Sequence, residues 1–220
     1  MAFLSIYGSV AYYAPYGTLT LTNSSPAQMF VEPLTQDEVR QYLVIDDAVP
    51  EQSDNDQIAA FITAARAQAE ILQGRDLVLK SWDLNFDYWT NWRITLRAPL
   101  LSVDLIQYTD SANVVHVMDP SNYFVDKNKR PGLIMPAYNQ QWPNFTPCPS
   151  SAILIRFTSG VAKTDPYWQG MGSLVKNGMK MLISHWYTKR LPFEAGISAT
   201  NEYPYAVTAG LSAGCLVSVR

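Results

Sequence analysis

The sequence predicts an α+β protein, a small antiparallel core of three main helices with an inserted β-rich lobe and extended arms at both ends. Apolar residues recur at steps of three and four over residues 36–74 and again after Pro166, the spacing of helices with one buried face. Between Leu77 and Gly160 the period falls to two, as in half-buried strands. Residues 1–31 and 191–220 sustain neither pattern. With 220 residues and 48% hydrophobic content, the chain is long enough to bury a real core.

Residues 1–31 form an arm rich in Tyr, Ser and Thr. Within it Thr18-Leu19-Thr20-Leu21-Thr22 alternates like a strand, and Asn23-Ser24-Ser25-Pro26 breaks the pattern. Tyr12, Tyr13 and Tyr16 are the arm's candidate contact residues, packing on their own chain or on a neighbouring copy. A helical core follows over 32–76 and 161–190. Thr35-Gln36-Asp37-Glu38 has capping-box spacing, with Leu34 and Val39 placed as a hydrophobic staple, so a helix starts here and runs to about residue 44. The polar stretch Asp46 to Asn55, carrying Pro50, is a loop. A second helix opens at Ser53 or Asp54, either of which can cap it, and buries Ile58, Phe61, Ile62, Ala65, Ala69 and Leu72. Gln57, Arg66, Gln68 and Gln73 fall elsewhere on its surface. Gly74 supplies a left-handed stop, and Arg75 beyond it suits the helix dipole.

The β-rich insertion covers 77–160. Ile94 and Leu96 alternate with Arg93, Thr95 and Arg97, and Ile153, Ile155 and Phe157 alternate with Leu154, Arg156 and Thr158. Breakers at Asp110-Ser111-Ala112-Asn113, Asp119-Pro120 and Arg130-Pro131-Gly132 divide the insertion into about five or six antiparallel strands. Pro143, Pro147 and Pro149 each lack a ladder donor, so Trp142 to Pro149 crosses as an extended loop. After Pro166 a third helix, packed on the second, places Met171, Leu174, Val175, Gly178, Met179, Leu182 and Trp186 on one face up to about Arg190; Pro192 stops it. The tail 191–220 is too apolar for a solvated linker and too irregular for a core element, which suits a segment that orders on a partner.

A net charge of −3 argues against a tight, nonspecific nucleic-acid binder. A charged fraction of only 16% with 12% aromatic residues points instead to surface covered by partners. His116 and His185 lack the spaced His or Cys partners of a zinc site, and both read as structural. No nucleophile elbow, phosphate loop or dinucleotide fingerprint occurs, so neither a cofactor nor catalysis is expected. The nearest approach to a catalytic segment is Trp82 to Trp92, where Asp83 and Asp87 lie among three indoles as in a carbohydrate site. Strand alternation puts Trp82, Leu84 and Phe86 on one face and both carboxylates on the other, which favours core or interface. Cys148 and Cys215 read as reduced and buried, with cytoplasmic synthesis. The first residues lack the basic opening of a secretory signal, and no apolar run is long enough to span a bilayer.

One ordered series of short motifs resembles the head–tail connector, or adaptor, family of long-tailed bacteriophages and gene transfer agents. Glu32-Pro33-Leu34-Thr35-Gln36-Asp37-Glu38 and Leu43-Val44-Ile45-Asp46-Asp47 resemble the family's opening, followed by the long helix ending at Gly74-Arg75. Ala98-Pro99-Leu100-Leu101-Ser102-Val103, Tyr108-Thr109-Asp110, Asp119-Pro120-Ser121-Asn122-Tyr123, Pro131-Gly132-Leu133-Ile134 and Trp142-Pro143 resemble its β insertion. Phe157-Thr158-Ser159-Gly160 and His185-Trp186-Tyr187 resemble its closing strand and last helix. The resemblance covers residues 32–190.

It implies a non-enzymatic virion protein of the particle's neck, forming a ring of about twelve copies between the portal protein and a stopper or tail-terminator protein. Duplex DNA would pass through the lumen without specific binding, and no membrane is involved. The apolar tail would dock on the portal through Phe193, Tyr203, Tyr205, Leu211 and Leu216. The rival readings are a stopper or tail-completion subunit, and a carbohydrate-binding or hydrolysing tail component built on the Trp82–Trp92 segment.

Overall fold

A computed structural model describes residues 17–22, 31–45, 52–89, 92–188 and 205–213, the side chains of 52, 53, 205 and 206 excepted. The chain divides into two compact units. One comprises the residues up to Val31 with Val78–Ala162, the other Glu32–Leu77 with the residues from Lys163 onward.

The first unit is made of two antiparallel sheets. Strands β1 (Thr18–Thr22), β2 (Lys80–Phe86), β4 (Leu100–Thr109), β5 (Val115–Val117) and β8 (Ile153–Ser159) form a five-stranded sheet in the order β1-β2-β8-β4-β5. Strands β3 (Ile94–Leu96), β6 (Tyr123–Asp126) and β7 (Gly132–Pro136) form a second sheet in the order β3-β7-β6. Among the described residues the insertion therefore holds seven strands rather than about five or six.

Strict alternation makes β8 the centre of the larger sheet: Ile153, Ile155 and Phe157 are fully buried, and their neighbours point the other way. Ile94, Leu96 and Ile134 of the smaller sheet join them in one hydrophobic cluster, so the two sheets share a core. Two register shifts in β4, after Leu100 and after Val103, break the alternation along that strand. Gly160 closes β8 at φ 115°, with its position held so tightly against Val78 that a Cβ would lie 1.9 Å from the Val78 carbonyl oxygen. Within the expected arm, Thr18–Thr22 is a strand paired in register with β2, Leu19 opposite Leu84 and Leu21 opposite Trp82.

The second unit is helical. Helix α1 (Gln36–Leu43) begins at the expected capping box: the Glu38 N–H donates to the Thr35 hydroxyl at 3.1 Å and the Thr35 N–H to the Glu38 carboxylate at 2.8 Å. It ends at Val44, which adopts φ 56° and is 89% exposed. Helix α2 (Gln52–Gln73) starts before both Ser53 and Asp54, so neither caps it; its first carboxylate, Asp54, already lies in the first turn. Gly74 ends it at φ 66° as expected. Ile58, Ile62, Ala65 and Ala69 of the anticipated stripe are buried, while Phe61 and Leu72 are only half-buried.

Of the polar residues expected outside the α2 stripe, Gln57 and Gln68 are half-buried, but Arg66 and Gln73 are buried, as is Glu70. Arg66, Glu70 and Gln73 are buried because each finds a partner. The Arg66 guanidinium donates to Glu32 at 2.8 Å and to Glu70 at 2.9 Å, and the other Glu70 oxygen accepts the Leu77 N–H at 2.9 Å. Arg75 donates to the Gln73 side-chain oxygen at 2.8 Å and stacks over the Tyr167 ring, so it is a buried part of the unit and more than a dipole counter-charge.

Helix α3 (Met171–Thr188) packs on α2, with Trp186 against Phe61 at 5.8 Å between ring centres. Val175, Gly178, Met179 and Leu182 of the expected face are inside, with Gly172 and Ile183 beside them, while Trp186 is half-buried and Met171 and Leu174 are half exposed. The tail contributes a fourth helix, α4 (Tyr205–Leu211), where no regular element was expected. Two glycines explain its docking on α3. A Cβ on Gly178 would lie 2.8 Å from the Leu211 nitrogen, so the backbones meet with no side chain between them. Val207 and Leu211 are buried, and the Gln73 side chain donates to the Leu211 carbonyl at 2.7 Å.

Candidate functional site

The carboxylate-bearing segment after residue 80 is structural. Asp83 is buried in β2 opposite Arg156 of β8, and the guanidinium holds both carboxylate oxygens at 2.7 Å. Hydrogen bonds from Arg156 keep the Asp83 carboxyl below the usual carboxylate range, against the opposing effect of burial. Asp87 instead accepts the Ser151 N–H at 2.7 Å, so the two carboxylates have separate partners. Neither arrangement leaves a paired acid and base facing a cleft.

His116 is also committed to structure, but it is not the ordinary exposed position expected. Its Nε2 lies 2.9 Å from Asp110, and its ring stacks on Tyr108 with centres 5.0 Å apart. Asp110 caps the β4–β5 turn by accepting the Ala112 and Val114 N–H groups. His116 and then these backbone bonds hold its carboxyl low. Cys148 is half-buried rather than buried, and Cys215 lies outside the described residues. Among the described residues no group of three or more His, Cys, Asp or Glu could hold a metal, and no helix is long and apolar enough to cross a membrane.

An open cleft of about 950 Å³ lies at one end of the three-stranded sheet. Local chemistry builds it. Register places Ile94 opposite Ile134 and Tyr123 opposite Pro136, bringing the start of β3, the end of β7 and the start of β6 level. Asp119 caps the 3-10 turn Pro120–Asn122 through the Ser121 N–H at 2.8 Å, making one wall. The turn after β7 makes the other, with Asn139 at φ 59° and the Gln140 N–H donating to the Ala137 carbonyl. The Ala137 N–H bonded to Asn122 at 3.0 Å ties the walls together.

Trp92, Tyr123, Phe124 and Tyr138 supply the apolar lining, with Asn139 and Gln140 among its amides; among the described residues no lining side chain carries a charge. Burial, then Asp119 and Asp104, raise the Tyr123 pKa, so its hydroxyl stays protonated and able to donate. Sequence reading did not single out this site. Its parts are spread over nearly fifty residues and meet only through strand register; the one local signal is the uncharged run Tyr138-Asn139-Gln140-Gln141.

Of the contact residues expected from sequence, Tyr12, Tyr13, Tyr16, Phe193, Tyr203 and Leu216 lie outside the described residues, as does the side chain of Tyr205, which opens α4. Leu211 is 1% exposed and fastens α4 within its own unit, so it does not present itself to a partner in this conformation.

No protein-family model matches the sequence, and no curated protein matches it. The fold is shared with chains of gene transfer agent (GTA) particles. One comes from the neck of an empty GTA particle computed with C6 symmetry, at 20% identity and TM-score 0.65. Another comes from the virion of a native GTA particle, at 19% and 0.66. A third comes from the neck of the native particle computed with C12 symmetry, at 18% and 0.63. In each case the likeness covers 92% of this chain and 97% of the other.

Proposed function

We propose that this chain is a structural, non-enzymatic virion protein, a head–tail connector subunit. Made in the host cytoplasm, it forms a homo-oligomeric ring of about twelve copies in the particle neck. The ring lies between the portal protein and the stopper or tail-terminator protein, and its lumen passes duplex DNA. The observation that carries the reading is the likeness of fold to chains from GTA necks along nearly the full length of both partners. The ordered motifs over residues 32–190 support the same assignment.

The physical logic is that of a closed ring. One patch on each copy must complement a different patch on the next, which suits a chain with few charges and many aromatics. DNA must slide, so the lumen is expected to lack a strong basic lining. Phe193, Tyr203, Tyr205 and Leu216 remain the proposed portal anchors.

Cryo-electron microscopy of a neck containing this chain tests the assignment. A ring directly against the portal supports it, whereas a position further down the neck supports the stopper reading. Portal capture unaffected by Phe193→Ala combined with Tyr203→Ala would remove the tail-docking part. Submicromolar, salt-sensitive affinity of the assembled ring for duplex DNA would remove the free-passage part.

A further inference from the structure

We propose that the uncharged aromatic cleft at the end of the three-stranded sheet receives the N-terminal segment, residues 1–16, of a neighbouring copy. The inference rests on the ring reading for the presence of that neighbour and names the surface and segment through which copies engage.

A single copy leaves Tyr138 93%, Phe124 56% and Trp92 52% exposed around one concavity. Aromatic surface gathered in a concavity marks a site of contact, unlike apolar residues scattered singly.

Among the described residues the lining has no ionised side chain, and the chain from Met1 to Val31 has none either, although 16% of the whole sequence is charged. The C-terminal segment is the poorer candidate, because Glu194 and Glu202 would give up hydration in a cleft offering no cation in return.

Pro15 gives the segment the residue type that aromatic-lined grooves recognise. Tyr12, Tyr13 and Tyr16 around it supply rings for stacking. The Tyr123 hydroxyl and the Asn139 and Gln140 amides supply donors and acceptors for the backbone of such a segment.

Reach is sufficient. Sixteen residues ahead of Gly17 extend up to about 50 Å, well beyond a single small unit. Because arm and cleft are different patches, the contact repeated head to tail with a closing rotation generates a ring, whereas the same contact exchanged reciprocally stops at a pair.

The test uses the full-length chain with a photoreactive benzophenone residue in place of Tyr138, mixed from isotopically light and heavy preparations. Mass spectrometry of cross-linked peptides is read beside native mass spectrometry of the assembly state. The expected result is cross-links from position 138 to peptides within residues 1–16, formed between light and heavy chains. Phe124→Ala combined with Tyr138→Ala should raise the concentration needed for assembly by about tenfold. Both side chains are exposed, so circular dichroism should be unchanged.

Oligomers without arm–cleft cross-links overturn the inference and leave the ring reading standing. Cross-links between chains that stop at pairs support the inference and count against the ring. Cross-links confined to chains of one isotopic type overturn it, and so does the absence of both oligomers and cross-links. A neutral bacterial polysaccharide that binds the cleft, with no arm–cleft cross-links formed even in its absence, would assign the cleft to glycan and also overturn it.

Discussion

Gly178→Ala sets two effects of opposite sign against each other. In an exposed helix interior, replacing Gly by Ala stabilises by about 1 kcal/mol. At Gly178 the new Cβ would lie 2.8 Å from the Leu211 nitrogen and 2.9 Å from the Gly210 carbonyl carbon. Both are backbone atoms that cannot rotate aside. Restoring ordinary contact at 3.4 Å moves α4 away by roughly 0.6 Å, and gaps of that size forfeit about a quarter to a half of the dispersion well. Val207 and Leu211 are the buried anchors, each contributing roughly 1.5–3 kcal/mol. The loss is therefore about 1–3 kcal/mol, with the Gln73–Leu211 hydrogen bond stretched as well. Subtracting the helix gain leaves a net destabilisation of up to about 2 kcal/mol. Urea denaturation measures the total, and hydrogen exchange locates it: amides of α4 should lose protection while α1 is unchanged. A variant stabilised by the full Ala increment, with α4 protection intact, would refute the direct backbone contact.

Arg66→Ala removes the shared cation of Glu32 and Glu70 and should cost about 3 kcal/mol in urea denaturation; a loss below about 1 kcal/mol would mean the carboxylates rehydrate freely. Val44→Gly relieves a β-branched residue at φ 56° and should stabilise by about 1 kcal/mol in thermal unfolding, since this exposed side chain offers little packing in compensation; a lowered Tm would contradict that. Arg156 lowers the folded-state pKa of Asp83, so the pair's contribution is present above the ordinary value of 3.8 and disappears as pH falls through the lowered one. Below about pH 4 the wild-type Tm should consequently fall more steeply than that of Asp83→Asn, and parallel slopes would show that Asp83 is not the group titrating.

Legibility in the sequence follows the range of the interactions. The α1 capping box lies within four residues, and the α2 stripe and β8 alternation are each complete within one element. The burial of Arg66 and Glu70 was not legible, because it depends on Glu32 far upstream and on the Leu77 N–H beyond the helix end. Helix α4 was missed for a related reason: its docking uses glycines, which carry no hydrophobic signal, and a bond from Gln73. The expected burial of Leu174 assumed a single packing partner for α3, but Gly178 is what meets α4 and Leu174 stays half exposed. The cleft required the pairing of three strands before its aromatics could be seen as one surface.

The order in which the helices occur along the chain affects synthesis as well as stability. Helix α3 begins about a hundred residues after α2 ends, with the whole β insertion between them. At roughly 5–20 residues per second, the ribosome leaves α2 for about 5–20 s before α3 is made, its Ile58–Ile62–Ala65–Ala69 stripe without that cover. Strands β2 to β8, by contrast, are contiguous and all emerge before α3 begins. The nascent chain thus gains a sheet core first and its helical core last, and the interval between them is when it is most dependent on chaperones and most prone to aggregate.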